Sequence, residues 1–303
     1  MFEAFFNLKS APFQLSPDPG FFYESEGHGR ALSYLKYGVY QKEGFIVVTG
    51  EIGAGKTTLL RTLLNGIDPQ QVVTAQIVNT QLDEQDLLAS ICTSFGIESA
   101  GLSKAQTLHT LEAFFMVHAI GGRRALLIVD EAQNLGIREI EELRMLSNFQ
   151  LGNQALLQSF LVGQPELRTK LLSSGMEQLR QRVIASCHLG PLNEKETEAY
   201  IAHRLRAVGW DGKTIFPADT LLHIHQASGG IPRRINLLCN RLLLGAYLRS
   251  ERVVTLDQAL ATSDEMRSEM DSLQVTPVAT ATPEQLASSR RRTGRSKGRG
   301  TVE

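Results

Sequence analysis

The sequence Gly50-Glu51-Ile52-Gly53-Ala54-Gly55-Lys56-Thr57, with Thr58 directly after it, decides the fold. It follows residues 45–49 (FIVVT), an uncharged run rich in β-branched residues that predicts a strand buried on both faces. Residues 58–64 carry apolar side chains at helical spacing. A strand, a glycine-rich loop and a helix, in that order, are the context in which G-x-x-x-x-G-K-T forms a phosphate-binding loop.

This loop predicts a triphosphate site with a magnesium ion. Glycines let successive backbone amides point at an anion, and the helix N-terminus adds partial positive charge. We expect Lys56 to reach the β- and γ-phosphates and the Thr57 hydroxyl to ligate Mg²⁺. A dinucleotide-binding turn would need a third glycine where Thr58 stands, and an ordinary glycine-rich turn is the remaining alternative. The predicted nucleotide-binding residues are Gly50, Gly53, Ala54, Gly55, Lys56, Thr57 and Thr58.

Two acidic residues end a second apolar run. Residues 125–129 (ALLIV) predict a buried parallel strand, and Asp130 and Glu131 follow it directly. We expect Asp130 to hold the Mg²⁺ shell and Glu131 to polarise the attacking water. A kinase would need a site for a hydroxyl acceptor, so a carboxylate beside the metal ligand favours hydrolysis.

Two further polar side chains are candidates with open alternatives. Gln164 follows a strand predicted at 156–162, where a polar side chain can face the γ-phosphate; a turn-forming Gly-Gln-Pro is the alternative. Arg182 precedes a short apolar strand predicted at 187–189. It is a candidate arginine finger that reaches the ATP of a neighbouring subunit, and a surface arginine without a catalytic role is the alternative.

After Pro191 the pattern becomes helical, with helices predicted at 193–208, 217–227 and 232–247 and a short one from 255 to about 266. Asn193 and Glu196 have the spacing of a capping box, which predicts the start of the first of these helices. Arg233 and Arg234 lie in the first turn of the third helix, where the helix dipole disfavours cations. This placement suggests an anionic target such as a bound phosphate.

The chain divides into four predicted segments. Residues 1–44 form a strap rich in proline and aromatic residues that either lines an adenine pocket or only packs on the core. Residues 45–190 form the ATPase core and residues 191–267 a helical lid. Residues 268–303 contain too few large apolar residues to fold, so we expect a disordered basic tail.

The composition is typical of a soluble globular protein. The 303 residues are 42% hydrophobic and 21% charged, and no run approaches the roughly 18 apolar residues of a membrane span. The three scattered cysteines are typical of reduced packing residues, and the N-terminus lacks the basic region of a secretory signal. These features predict a cytoplasmic protein without a transmembrane span.

The net charge of −1 hides an asymmetry. From Gln285 onward there are six basic residues and one acidic residue, so this end carries +5 and the rest of the chain −6. A basic tail on an acidic body predicts that any contact with an anionic lipid or a nucleic acid is made by the tail.

Together these motifs resemble the AAA+ ATPases of the general secretion pathway A (ExeA-type) family. The resemblance covers about residues 1–265. Because the chain ends soon after the predicted lid, it looks closest to the ATPase associated with exosortase and exopolysaccharide loci. Besides the phosphate-binding loop, the similar motifs are Pro12-Phe13, Ser16-Pro17-Asp18-Pro19, the Ala31, Leu32 and Leu35 pattern, Asp130 to Gln133, Gly163 to Leu167, Gln181 to Val183 and Gly230 to Asn236.

The resemblance implies an α/β fold, a P-loop NTPase (AAA+) three-layer sandwich with a mostly parallel sheet, followed by a small helical lid. It implies ATP and Mg²⁺ as ligands and a homo-oligomer or a partner protein of an envelope assembly system. Longer ExeA-type proteins continue into a membrane span and a peptidoglycan-binding domain, and we expect neither from the residues of this sequence. Peripheral attachment to the inner membrane would therefore depend on partners or the tail. The implied roles are Walker A for residues 50–58, Walker B for Asp130 and Glu131, sensor 1 for Gln164, arginine finger for Arg182 and sensor 2 for Arg233.

Three functions remain compatible with the sequence. The resemblance favours an ATPase that couples nucleotide turnover to envelope secretion or to exopolysaccharide and exosortase-linked assembly. A DNA-associated ATPase of the transposition-helper or origin-recognition kind shares the same core, although no winged-helix pattern fits between Asp264 and Glu303. A nucleotide switch that binds ATP without useful turnover is the third.

Overall fold

A parallel β-sheet organises the first of two compact units, Met1–Ala259; the second unit begins at Leu260. The computed structural model of the protein describes residues 1–78, 80 and 82–274. The strands are β1 (Phe45–Gly50), β2 (Val72–Ile77), β3 (Arg124–Val129), β4 (Gln150–Leu151), β5 (Gln154–Ala155), β6 (Leu157–Gly163) and β7 (Val183–Leu189).

The strand order of the sheet brings three loops together. The order is β2-β3-β6-β1-β7, and every neighbouring pair is parallel. Thr49 of β1 pairs with Gly163 of β6, and Val129 of β3 pairs with Leu161 of β6. Because the strands are parallel, the segments that follow β1, β3 and β6 leave the sheet at the same edge.

Helices cover both faces of this sheet. The helices of the described residues are α1 (Phe2–Phe5), α2 (Glu26–Gln41), α3 (Lys56–Asn65), α4 (Glu84–Ser94), α5 (Lys104–Ile120), α6 (Ile137–Leu146), α7 (Pro165–Leu172), α8 (Glu177–Arg180), α9 (Glu194–Ala207), α10 (Ala218–Ser228), α11 (Pro232–Leu248) and α12 (Leu256–Gln274), with 3₁₀ turns at Pro19–Phe21 and Ala132–Asn134. Among them, α2 and α3 pack on one face of the sheet and α4 to α7 on the other.

The side chains of β1 alternate between two hydrophobic cores, as strand geometry requires. Phe45 and Val47 pack into a core shared with α4 to α7. Ile46 and Val48 pack into a second core shared with α2 and α3. Every residue of β1 is buried. The predicted three-layer α/β sandwich and the strand buried on both faces are therefore confirmed.

The N-terminal residues pack against the helices that follow β7. The Lys9 amide donates to the Val208 carbonyl at 2.8 Å. The buried Arg204 guanidinium of α9 donates to the carbonyls of Pro12 (2.7 Å) and Gln14 (2.8 Å). Phe13 is only 1% exposed. These contacts attach the strap to the helices that follow β7 and not to the sheet.

Local signals set most helix starts. Asn193 and Glu196 form the predicted capping box at the start of α9, and Pro232 occupies the first turn of α11. α6 ends at Leu146 because the chain turns at Ser147 and enters the short β4–β5 hairpin.

Strand β7 begins earlier than predicted. It starts at Val183, and Val183 to Ala185 are half-buried beside β1. Exposed Ser186 and His188 interrupt the apolar pattern because β7 is the last strand of the sheet order.

The predicted disorder from residue 268 is wrong for its first part. α12 continues to Gln274, past the end predicted near 266. Residues 268–274 contain neither proline nor glycine, so extending an existing helix through them costs little. The rest of the predicted basic tail, 275–303, lies outside the described residues. Among the described helices, none combines the length and the apolar character of a membrane span.

We expect Phe13→Ala to lower the free energy of unfolding by about 3 kcal/mol, because a buried aromatic ring is replaced by a cavity. Leu15→Ala is the matched control, since Leu15 is 50% exposed, and its effect should stay within about 0.5 kcal/mol. Urea unfolding followed by circular dichroism measures both. Equal stability of the two variants would show that the strap does not belong to the cooperative unit.

Candidate functional site

The loop between β1 and α3 has the backbone of a phosphate-binding loop. Gly53 (φ +84°) and Gly55 (φ +99°) adopt the left-handed conformation that favours glycine. The Leu59 amide makes the first turn's helical bond, to the Gly55 carbonyl at 2.9 Å. The amides of residues 56–58 therefore precede the helical ladder, where amides are free to bind an anion.

Lys56 lies inside this loop. Its side chain is buried, and Nζ donates to the carbonyls of Gly50 (2.6 Å) and Glu51 (3.0 Å). Burial lowers the pKa of the Lys56 ammonium group, while the negative charges of Glu131 and Asp130 oppose that shift. A buried cation thus faces the two carboxylates that follow β3.

Asp130 and Thr57 bring a carboxylate and a hydroxyl oxygen together. Asp130 is 5% exposed, and its Oδ1 accepts the Glu131 amide at 3.0 Å. Burial raises the pKa of Asp130, and the bonds that it accepts from the Glu131 amide and the Thr57 hydroxyl partly offset the rise. A carboxylate beside a hydroxyl fits Mg²⁺, which takes few protein oxygens and keeps several waters.

Both the backbone conformation and the carboxylate position of Glu131 are constrained. Its left-handed backbone (φ +51°, ψ 36°) is uncommon for a residue other than glycine and is typical of functional sites. Its Oε2 accepts amide N–H groups from Gln133 (2.7 Å) and Gln164 (3.2 Å). Burial alone would raise the pKa of Glu131, but these bonds and the Lys56 charge outweigh it and hold the pKa below the ordinary value. Glu131 is therefore ionised at neutral pH.

Arg233 approaches the loop from α11. Its amide donates to the Gly53 carbonyl at 3.2 Å, and a Cβ on Gly53 would lie 2.4 Å from the Arg233 Cβ. Arg233 lines one cleft together with Lys56, Thr57 and Glu131. The structure therefore brings the helix turn with the unfavourably placed arginines onto the phosphate-binding loop.

An aromatic cavity adjoins the loop. Phe21, Phe22 and Tyr23 line it together with His28 and Tyr200, beside Gly55 and Thr58. The Arg204 guanidinium stacks over the Phe21 ring at 4.4 Å, and the Tyr200 hydroxyl donates to Asn236 at 2.9 Å. The strap therefore supplies one wall of this cavity as well as packing on the fold.

Arg182 lies away from the other predicted site residues. Its guanidinium donates to Ser147 (3.1 and 3.0 Å) and Asn148, and its carbonyl accepts the amide of Phe45 at 2.8 Å. Phe45 begins β1 and Gly50 ends it, so the strand's length, about 20 Å, separates Arg182 from the loop. Arg182 is not among the described residues that line the cleft of its own chain.

Two residues of the site were not predicted from sequence. His28 contacts the loop through Nε2, 2.9 Å from the Ala54 carbonyl, and its Nδ1 lies 2.8 Å from the Ser25 hydroxyl. A serine three residues before a histidine at a helix start is the signal that could have indicated it. Gln133 was predicted only as part of a motif, because sequence does not show that its amide reaches both Glu131 and Gln164.

Comparisons with known proteins agree with this geometry. Residues 39–171 match the AAA domain family. The structure of Drosophila ORC bound to DNA is similar, with a TM-score of 0.66 at 18% identity, over 97% of this chain and 73% of that chain. This chain has the AAA P-loop NTPase fold. The Aeropyrum pernix ORC2 protein (TM-score 0.61, 16% identity, 79% and 67% covered) and the Thermotoga maritima RuvB Holliday junction branch migration motor (0.53, 20%, 80% and 69%) are similar AAA-fold structures.

A curated protein is similar to this chain over most of the chain's length. General secretion pathway protein A of Aeromonas hydrophila is 41% identical over 265 residues, which cover 86% of this chain and 48% of that protein. The chain thus spans about half the length of this relative. Over those 265 residues this chain is similar to general secretion pathway protein A, and residues 39–171 match the AAA domain family.

We expect Lys56→Ala to weaken ATP binding by about 10- to 100-fold, because a charge-assisted contact to phosphate is worth roughly 1.5–3 kcal/mol. Fluorescence anisotropy of a labelled ATP analogue measures the affinity. Lys36→Ala removes an exposed lysine of α2 and should leave it unchanged. If Lys56→Ala binds the ATP analogue as tightly as the parent protein, the loop is not part of the ATP-binding site.

Proposed function

We propose that this chain binds Mg²⁺-ATP and hydrolyses it. The supporting observation is the meeting of Lys56, Asp130 and Glu131 at the carboxyl edge of the sheet, where the Lys56 charge interacts with both carboxylates. A buried cation and an ionised base that line one cleft, with the buried carboxylate of Asp130 beside them, are the parts that phosphoryl transfer to water requires.

In this proposal the loop residues 50–58 bind the phosphates. Their amides and Lys56 contact the β- and γ-phosphates, and Thr57 and Asp130 hold the magnesium ion. When bound, Mg²⁺ neutralises phosphate charge that develops during cleavage. Glu131 accepts the proton of the attacking water, and Gln164, bonded to Glu131, lies where a polar side chain faces the γ-phosphate.

The helices after β7 act in this proposal as a lid, residues 191–267, on a core of residues 45–190. Arg233 senses the phosphates from the lid, since its backbone already contacts Gly53. The strap, residues 1–44, supplies the aromatic wall for the adenine base. In this proposal Arg182, which lies away from the cleft of its own chain, exchanges its bonds to Ser147 and Asn148 for the ATP of a neighbouring subunit in a homo-oligomer.

We further propose that ATP turnover drives an envelope assembly process. The relative named general secretion pathway protein A supports secretion, and the resemblance to the exosortase-associated subtype extends the proposal to exopolysaccharide assembly. The protein would act in the cytoplasm or peripherally at the inner membrane, with a partner protein. Its basic tail would contact anionic lipid or nucleic acid.

A DNA-associated ATPase is the second candidate, favoured by the basic residues after Gln285. It requires duplex binding that weakens steeply with salt, because each neutralised phosphate releases counterions. Binding that is lost on deletion of residues 285–303 would favour it over the envelope role. A non-hydrolysing nucleotide switch is separated from both by steady-state phosphate release.

We expect Glu131→Gln to lower the rate of phosphate release by about 100-fold or more, because general-base catalysis contributes at least that much. ATP affinity should stay within a few-fold, since the amide is isosteric. The control is Glu198→Gln on the exposed face of α9. Turnover by Glu131→Gln at the parent rate would show that Glu131 is not the base.

A further inference from the structure

One glutamine side chain joins the ends of two strands. Gln133 lies in the 3₁₀ turn after β3, and its Nε2 donates to Glu131 Oε2 at 2.7 Å. Its Oε1 accepts the backbone amide of Gln164, directly after β6, at 2.9 Å. The Gln133 carbonyl in turn accepts Lys170 Nζ of α7 at 2.6 Å. Both the side chain and the backbone of Gln133 are therefore fixed.

The end of β6 has room for this amide because residue 163 is glycine. A Cβ on Gly163 would lie 2.7 Å from Gln133 Oε1 and 3.2 Å from the Gln133 backbone nitrogen. The backbone of Gly163 is not left-handed, so close approach is the reason for glycine here. The Gln133 amide thus occupies the space that a side chain at 163 would fill.

These contacts fix which oxygen of Glu131 is engaged. Within the part of the chain that the structure describes, the hydrogen bonds to the Glu131 carboxylate, from Gln133 and Gln164, both go to Oε2. The backbone of Glu131 is held as well, because its carbonyl accepts the buried Thr80 hydroxyl at 2.8 Å. With Oε2 occupied by two amides, Oε1 is the oxygen left to accept a proton from water.

Glu131 lines the cleft together with Lys56 and Thr57. The side-chain amide of Gln133 is bonded at both ends, Nε2 to Glu131 and Oε1 to the backbone amide of Gln164. Its influence on the chemistry must therefore pass through Glu131. A group that acts in this way positions the base and does not touch the reacting atoms.

We propose that Gln133 is a positioning residue that holds the Glu131 carboxylate in its reactive orientation by bonding Glu131 and the end of β6 at once. The proposal rests on the proposed ATP hydrolysis. It makes the amide at position 133 a determinant of the rate of the chemical step. It assigns no part in nucleotide binding to that amide.

The test is Gln133→Met, which keeps the length of the side chain and removes its donor and acceptor. We expect kcat for ATP to fall about 10-fold or more, since misorientation of a catalytic group slows the chemical step. KM and the affinity for a labelled ATP analogue should stay within about twofold, as for an interaction made only in the transition state. Gln226→Met, on the exposed side of α10, is the matched control and should match the parent.

Three additional variants separate positioning from a purely structural role. In a Glu131→Gln background, Gln133→Met should cause no further loss, because residues that act as one unit are not additive. Gln133→His should recover part of the rate, since neutral imidazole offers one donor and one acceptor. Gly163→Ala, which displaces the Gln133 amide, should reproduce the kcat loss and serves if Gln133→Met does not fold.

Parent-like kcat in a folded Gln133→Met would overturn the inference, as would an additive loss in the Glu131→Gln background or an equal loss of nucleotide affinity. The proposed function fails separately. If the parent and Glu131→Gln release phosphate at the same rate, hydrolysis by this site is wrong. If Glu131→Gln abolishes turnover while Gln133→Met does not lower it, only the role of Gln133 is wrong.

Discussion

The structure depends on the convergence of three parallel strand ends, those of β1, β3 and β6, at one edge of the sheet. β6 lies between β3 and β1, so the loop after β6 is adjacent to both the phosphate-binding loop and the carboxylates that follow β3. Lys56 is buried there against Asp130 and Glu131. Bringing these charges out of water is unfavourable for each alone, and their mutual attraction offsets that cost only while the strand order keeps them together.

Two other parts of the first unit contact this edge. α11 reaches the loop through the Arg233 amide and the Gly53 carbonyl, and the strap reaches it through His28 and the Ala54 carbonyl. Arg204 of α9 connects the strap to the helices after β7, because its guanidinium donates to the carbonyls of Pro12 and Gln14. A change in the conformation of the loop can therefore be transmitted both to the helices after β7 and to the strap. Such a connection is what a lid needs if it is to respond to nucleotide.

Sequence alone predicted the parts of the fold whose signals are local. The strand before Gly50, the loop and α3 follow from short-range pattern, and so do the run that ends at Asp130 and the capping box at Asn193. What it missed depends on contacts between distant segments. The Gln133 amide bonds to Gln164, which follows a different strand of the sheet. The apolar pattern of β7 is interrupted because some of its side chains are exposed. The polar composition of residues 268–274 predicts disorder, but polar residues extend an existing helix at little cost, and α12 continues through them.

The central claim is that this edge of the sheet binds magnesium and ATP together. Isothermal titration calorimetry of the folded full-length chain with ATP tests it most directly, in the presence of Mg²⁺ and then of a chelator. The account predicts saturable binding to one site per chain that weakens strongly when the metal is removed. Absence of any binding heat with magnesium and ATP, at several temperatures and with folding verified by circular dichroism, would contradict it.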